Sequence, residues 1–351
     1  MKQTFGMSQT GNLKEAASGI HSPKLLILMS NANQFESHVA ELEALFPGVP
    51  SIGCIGISYA TKVVEKGVGL VAFSENVSVV TNVLEEVSTM PVKYIDRVEK
   101  DLTAIRANGK DTVCIDFCTG NDACVMTTFH SVLGKAGVSL AGGTGDGGKV
   151  SVNGKVYEDA DVYALVKNQG GKVAVYKENL YKPMEGYRFI ASKTDRNKYY
   201  VGELNGKPAK QVYMDALKIS EDKILDQTFY NPFGKMNGQD ICIISLKALD
   251  GNGICCYRQI NDSDVLLLLE LEDYTEVLKD TIANIRQDFR HISGVFSINC
   301  IFRYLLFTQE KHFDEYLKTM STLGAHAGLV GFGEHCNEQF VNQTMTCVVF
   351  E

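Results

Sequence analysis

Apolar residues follow two different rhythms along this chain, and the alternation predicts a protein that mixes strands with helices. Short runs rich in apolar and β-branched residues, at 24–29, 67–73 and 112–117, have the length of strands. Apolar residues three or four apart predict helices at 35–46 and 94–106. We therefore predict a mixed α/β (α+β) fold in which mixed sheets are flanked by helices.

The same alternation continues through the second half of the chain. Strands are predicted at 241–246, 254–257, 265–271, 295–303 and 345–350. Helices are predicted up to Leu217, at 274–289 and at 312–320. The strand 295–303 has the largest consequence, because it places Asn299 and Arg303 in one extended apolar segment.

Two glycine-containing segments define local structure in the first half. Asn153-Gly154, between alternating apolar residues, predicts a hairpin with a two-residue type I′ turn. Residues 141–149 match parts of two phosphate-binding patterns, but no helix follows the glycines and position 150 is Val. We interpret this stretch as a tight structural loop, with Asp146 as a carboxylate that faces a ligand.

The length of 351 residues exceeds what one hydrophobic core usually organises, which predicts two domains. Residues 182–186 have the composition of a connection between them. No tandem repeat at a fixed period is visible in the sequence.

Composition excludes several classes of partner. A net charge of -8 argues against nucleic acid, which requires clustered Lys and Arg. No apolar run reaches the roughly 20 residues that span a bilayer, and residues 1–19 lack the apolar core of a signal peptide. We expect a cytoplasmic protein without membrane insertion.

Neither a metal centre nor a catalytic centre is predicted. The ten cysteines fit reduced thiols that fill apolar strands. Neither Cys114, Cys118 and Cys124 nor the segment 334–336 has the spacing of a closed zinc site, and in that segment His335 points away from its two neighbours. No nucleophile elbow, zinc-protease motif or recognisable cysteine-protease setting is present, so we predict no catalytic residues.

Polar residues interrupt apolar segments near residues 296–303 and 331–344. A buried amide or charge needs a partner, either another side chain or a bound molecule. Arg303 suits a carboxylate, and Glu334 can accept from an ammonium group. The candidate ligand set here is Asn299, Cys300, Arg303, Glu334, Asn342 and Thr344. The alternative, in which Arg303 and Glu334 pair with each other across adjacent strands, stays open.

Five motifs, in order along almost the whole chain from residue 24 to 350, make the sequence similar to the FIST family, named for F-box and intracellular signal transduction. The motifs are Gly53-Cys-Ile-Gly-Ile-Ser58, Ala141-Gly-Gly-Thr-Gly-Asp146, Glu203-Leu-Asn-Gly-Lys-Pro-Ala209, Asn299-Cys300 with Arg303, and Gly333-Glu334 with Asn342-Gln-Thr344. The resemblance implies an N-terminal FIST domain at 1–185 and a C-terminal one at 186–351. It adds Cys54, Gly142 and Gly143 to the candidate ligand site.

The resemblance also implies a sensory input module of prokaryotic signal transduction that binds small ligands such as amino acids. Its output would be a fused domain or a separate partner, such as a chemoreceptor or a histidine kinase. Some relatives are described as haem-dependent gas sensors. Three classes therefore stay open: a small-molecule sensor without a cofactor, a haem or redox sensor, and an enzyme of unrecognised type.

Overall fold

The chain divides into two compact units in the computed structural model, which describes all 351 residues. Unit 1 consists of Met1–Glu178 and Leu278–Glu351, and unit 2 of Asn179–Val277. Unit 2 is thus inserted into the sequence of unit 1. The family domains that we expect at 1–185 and 186–351 are a separate division of the chain and stay a prediction.

The strands alternate with helices along the chain. Before the insertion the strands are β1 (Lys2–Ser8), β2 (Leu25–Ser30), β3 (Ser51–Ile55), β4 (Ser58–Tyr59), β5 (Val63–Val64), β6 (Val68–Ser74), β7 (Val77–Glu85), β8 (Thr112–Cys118), β9 (Ser139–Thr144), β10 (Asp146–Val152), β11 (Lys155–Tyr157), β12 (Ala160–Asn168) and β13 (Val173–Asn179). Unit 2 contributes β14 (Tyr181–Asp195), β15 (Tyr200–Leu204), β16 (Lys207–Pro208), β17 (Phe233–Asn237), β18 (Asp240–Ile244), β19 (Leu246–Asp250), β20 (Gly253–Cys256) and β21 (Val265–Leu271). The chain then forms β22 (Gly294–Cys300), β23 (His326–Gly331), β24 (Glu334–Cys336), β25 (Gln339–Val341) and β26 (Thr344–Phe350).

The helices are α1 (Leu13–Ala17), α2 (Phe35–Leu45), α3 (Ile95–Ala104), α4 (Asp122–Ala136), α5 (Ala209–Leu217), α6 (Tyr274–Asp288), α7 (Ile301–Gln309) and α8 (Phe313–Ser321). None of them combines the length and the apolar composition needed to cross a bilayer.

Unit 1 contains three six-stranded sheets that share one pattern of pairing. Their strand orders are β1-β6-β2-β3-β10-β11, β7-β12-β8-β9-β24-β25 and β13-β26-β22-β23-β4-β5. Each is built around one parallel pair, namely β2 with β3, β8 with β9, and β22 with β23. A helical crossover joins each parallel pair, as this pairing requires.

The edge hairpins interlock the three sheets. The hairpin β10–β11 follows β9 in the chain but pairs with β3 in another sheet. Likewise β24–β25 pairs with β9, and β4–β5 pairs with β23. Each sheet is therefore completed by a segment that belongs in sequence to a different sheet. The three sheets thus repeat one pattern of strand pairing. They do not repeat one amino-acid sequence, so the repeat is not visible in the sequence.

One apolar core lies among the three sheets. Ile27, Ile115 and Ile298, each from a different sheet, are fully buried in it. Helices cover the outer faces, as where Phe35 of α2 and Phe129 of α4 pack in two separate clusters. Burial of this apolar area is the main favourable contribution to folding.

In each of the three sheets of unit 1, a glycine occupies the same position in the strand between the parallel neighbour and the incoming hairpin, which we call the middle strand. Gly53, Gly142 and Gly328 each pair with one residue of the parallel neighbour and one of the incoming hairpin. The flanking pairs are Leu28 and Ser151, Asp116 and His335, and Ser297 and Tyr59, respectively. A Cβ on Gly142 would lie 1.9 Å from Asp116 Oδ1, and one on Gly328 would lie 2.5 Å from the Tyr59 hydroxyl. At Gly142 and Gly328 the missing side chain lets the two flanking side chains meet.

Unit 2 is a separate α/β structure. Its sheet has the order β18-β17-β21-β14-β15-β20-β19, with β16 beside β15, and each of its strand pairs is antiparallel. Tyr213 of α5 packs on Phe233 and Leu266 in the apolar core of this unit. The segment 182–186, which the sequence suggests as a connection, belongs to β14 at a register irregularity.

The structure confirms the mixed α/β fold and most of the predicted elements. Val152 pairs with Lys155, and Asn153 and Gly154 both have positive φ, as a type I′ turn requires. Two predictions are wrong. The strand predicted at 295–303 ends at Cys300, and α7 follows directly. The sequence does not reveal this change, because Ile301 and Phe302 are apolar and continue the pattern of the strand. Residues 141–149 form β9 and β10, not a loop.

We predict that Gly142→Ala destabilises the protein, because the new methyl group would overlap with Asp116 and force the strands apart. Overpacking of this kind costs about 1–3 kcal/mol. The matched control is Gly134→Ala on α4, where the nearest atom to a new Cβ is 3.8 Å away and helix propensity favours Ala by up to about 1 kcal/mol. Urea denaturation of the two variants measures both effects. Equal stability of both variants would show that the middle-strand glycine has no steric role.

Candidate functional site

The ten residues predicted as ligand contacts all lie in unit 1, and most are buried. Asn299 and Glu334 are fully buried, Arg303 is 1% exposed and Asn342 is 7% exposed. Asp146 is the exception, since it is exposed and its carboxylate accepts a hydrogen bond from the Gly147 N–H, 2.7 Å away.

Arg303 lies in the first turn of α7 and forms an ion pair with Glu178 of β13. Both side chains are fully buried. The guanidinium also lies over the rings of Phe307 and Tyr316, at 4.7 and 5.6 Å from their centroids. The alternative in which Arg303 pairs with Glu334 across adjacent strands is therefore wrong, because Arg303 is on a helix and not on a strand.

This ion pair leaves several buried polar atoms without a hydrogen-bond partner. Only Nη2 of Arg303 contacts Glu178, whereas Nε and Nη1 have no partner. Oε2 of Glu178 also has none. An unsatisfied buried donor or acceptor costs about 1–3 kcal/mol, so such a group calls for a physical explanation. The sequence analysis did not identify Glu178, although an acidic residue that follows the strand-like apolar run 173–176 is a usable signal.

Asn299 joins segments that are far apart in the sequence. Its Nδ2 donates to the hydroxyls of Tyr59 and Tyr316, at 2.6 and 2.8 Å, while its Oδ1 has no partner. Ser297 extends this network to Nε2 of His326, 2.8 Å away. Burial lowers the pKa of His326 to about 3, so this imidazole is neutral at physiological pH.

Glu334 is the first residue of β24 and contacts Thr344, the first residue of β26. Its Oε2 accepts hydrogen bonds from the hydroxyl and the N–H of Thr344, at 3.0 and 3.4 Å. Burial raises the pKa of Glu334 to about 8, although Thr344 and the neighbouring Cys300 thiol partly oppose this shift. Glu334 is thus largely protonated near neutral pH.

The cysteines are all free, and burial keeps most of them protonated. Burial raises the pKa of the Cys54 and Cys300 thiols, and in the case of Cys300 the Glu334 carboxyl raises it further. The pKa of Cys256 is raised in the same way, and that of Cys255 is also raised. A reactive thiol needs a lowered pKa, so these sites do not favour the redox alternative.

A second buried polar cluster, which the sequence did not indicate, surrounds His335. Its Nδ1 lies 2.5 Å from Asp116 Oδ2, and its Nε2 lies 3.0 Å from Asp122 Oδ1. Burial acts against the charged imidazole, but these carboxylates outweigh it and raise the pKa of His335 to about 10. Asp122 also accepts a hydrogen bond from the Thr144 hydroxyl. Asp116, a single charge in the apolar strand β8, is the signal that could have found this cluster.

Asp161 completes this cluster from β12. It is fully buried, and neither of its carboxyl oxygens accepts a hydrogen bond from a donor group. Burial, together with the neighbouring Asp116 carboxylate, raises the pKa of Asp161 well above its usual range. This shift favours the protonated form of Asp161.

Two family models match the chain, and they define it as a sensory protein of signal transduction. The FIST N domain matches residues 24–207 and the FIST C domain matches residues 209–337. The chain belongs to the FIST family, as its motifs suggested. No curated protein sequence shows significant similarity to it.

We predict that Glu334 makes the folded state less stable as pH rises from about 5 to 8. The pKa of Glu334 is about 8 in the folded protein against an ordinary value of 4.5, so unfolding releases a proton across this window. The full contribution is present below the lower value and is lost as pH rises through the upper one, with a slope of at most about 1.4 kcal/mol per pH unit. Urea denaturation between pH 5 and 8 measures this slope.

Glu334→Gln removes the titrating group, so its stability should fall less over the same range than that of the wild type. Glu99→Gln, on the exposed face of α3, is the matched control and should retain the wild-type slope. Parallel pH profiles for the wild type and Glu334→Gln would show that Glu334 ionises normally.

Proposed function

We propose that this protein is a sensory input module that binds a small zwitterionic ligand of the amino-acid class beside Arg303. The observation that carries this proposal is a fully buried guanidinium with two donor nitrogens, Nε and Nη1, that lack partners. Charge-assisted hydrogen bonds from such donors to a carboxylate are among the strongest in proteins.

Acceptors for an ammonium group lie near the ring of Tyr316, which Arg303 also contacts. Glu178 Oε2 and Asn299 Oδ1 have no hydrogen-bond partner. Tyr316 lies between Arg303 and Asn299, because Arg303 lies over its ring and Asn299 donates a hydrogen bond to its hydroxyl. A ligand with one carboxylate and one ammonium group would satisfy both kinds of unpaired atom.

Signalling follows from unequal affinity for two conformations. A ligand that binds one conformation more tightly shifts the population toward it. An output partner, such as a chemoreceptor or a histidine kinase, would recognise the shifted population.

The test is a thermal-shift screen of the purified protein against the common amino acids and simple carboxylates. A ligand at a hundredfold above its Kd should stabilise the wild type by about 2.7 kcal/mol. Arg303→Ala alone would leave Glu178 buried without a counter-ion, which would lower the free energy of unfolding by about 3–5 kcal/mol. The double variant Arg303→Gln/Glu178→Gln avoids this and should fold, yet show no ligand-induced shift.

Arg196→Gln serves as the control, because Arg196 is exposed and its side chain donates a hydrogen bond only to Asn261. It should keep the full response. A shift that persists in the double variant would assign Arg303 a structural role. A Soret absorbance band in the purified protein would favour the haem alternative instead.

A further inference from the structure

The side chains of Asp116, Asp161 and His335 form a second site, which the proposed ligand site does not use. Each offers a ligand atom, and these atoms all lie within 4.8 Å of one another. All three side chains are fully buried. We call this group the Asp-His cluster.

The sheet brings these residues together across a glycine. Asp116 on β8 and His335 on β24 are both paired with Gly142 of β9, whose missing side chain leaves the space between them. Asp161 reaches the cluster from the other neighbour of β8, where it pairs with Cys118. Three strands thus direct their side chains to one point on one face of the sheet.

Unpartnered oxygens face this point. Neither carboxyl oxygen of Asp161 accepts a hydrogen bond from a donor group, and neither does Oδ1 of Asp116. His335 neutralises one carboxylate of the pair through its contact with Asp116 Oδ2. Two buried carboxyl groups beside each other require further positive charge or a proton, which are the two ways to reduce the cost of burial.

The surroundings of His335 match those of a metal ligand. Histidines that bind metals usually donate their second ring N–H to a carboxylate, which fixes the ring. Asp122 occupies this position, 3.0 Å from Nε2, and the Thr144 hydroxyl in turn holds Asp122. Asp122 is partly open to solvent, with 15% of its side chain exposed.

We propose that the Asp-His cluster binds a first-row divalent cation, of which Zn²⁺ and Mn²⁺ are the probes, through Asp116, Asp161 and Nδ1 of His335. One imidazole and two carboxylates suit this class of cation, whereas Ca²⁺ takes six to eight oxygens. Binding displaces the Nδ1 proton of His335 and the proton of Asp161 to solvent, while Asp122 retains its hydrogen bond from Nε2. Three protein ligands leave a coordination position for water or a small anion.

The experiment measures metal uptake by the whole protein. After treatment with chelator and dialysis, the wild type is incubated with Zn²⁺ or Mn²⁺, and bound metal is quantified by mass spectrometry. We expect one equivalent for the wild type and a loss of at least tenfold in affinity for Asp161→Asn. Because Asn has nearly the same shape as protonated Asp, this variant should fold, and circular dichroism checks that it does.

Two controls exclude binding elsewhere. Asp159→Asn removes a partly exposed carboxylate two residues away, which bonds only to Ser88, and should keep one equivalent. His130→Ala removes the exposed histidine beside Glu338, a surface pair with the potential to capture zinc, and should also keep it.

Electron spin-echo spectroscopy of the Mn²⁺-loaded wild type gives a readout that depends on no variant. Coupling to one imidazole nitrogen is the expected result. Absence of that coupling, failure of the folded wild type to take up a stoichiometric cation, or equal uptake by Asp161→Asn would overturn the proposal. The Arg303 ligand screen is separate, so either proposal can fail without the other.

Discussion

The absence of a side chain at one position of each middle strand is the constraint on which unit 1 depends. At Gly142 it allows Asp116 and His335 to meet from opposite neighbours, at 2.5 Å. At Gly328 it allows Tyr59 to reach Ser297 in the same way, at 3.0 Å. A glycine-rich motif that resembles a phosphate-binding loop is therefore explained by close approach within a sheet.

The interlocked hairpins determine which residues share a site. The bond between Asn299 and Tyr59 spans 240 positions of the sequence, and that between His335 and Asp116 spans 219. Polar groups buried in this way must be satisfied by groups from another part of the chain. Both candidate sites therefore depend on an exchanged hairpin, which brings His335 to one site and Tyr59 to the other, and neither belongs to one contiguous segment.

Local pattern was sufficient to predict the fold class, the Asn153-Gly154 hairpin and most strands, because these depend on neighbouring residues. It also identified Arg303 and Glu334 as buried charges that need partners. It failed to identify the partners, since Glu178 and Thr344 are selected by tertiary packing. The same argument applied to Asp116 would have indicated the second cluster, but its counterpart His335 is brought near only by the exchange of hairpins.

The exchange of edge hairpins also has a consequence for synthesis on the ribosome. The sheet that contains Asp116 and Asp161 has four strands complete once β12 has been made, but its last two strands are β24 and β25. Unit 2 and β22–β23 must be translated first. Throughout that interval Asp116 lacks the imidazole that neutralises it, and the edge of β9 has no partner. Translation order thus delays closure of the charged interior until residues 334–341 emerge, and the nascent chain must keep this open edge from aggregating until then.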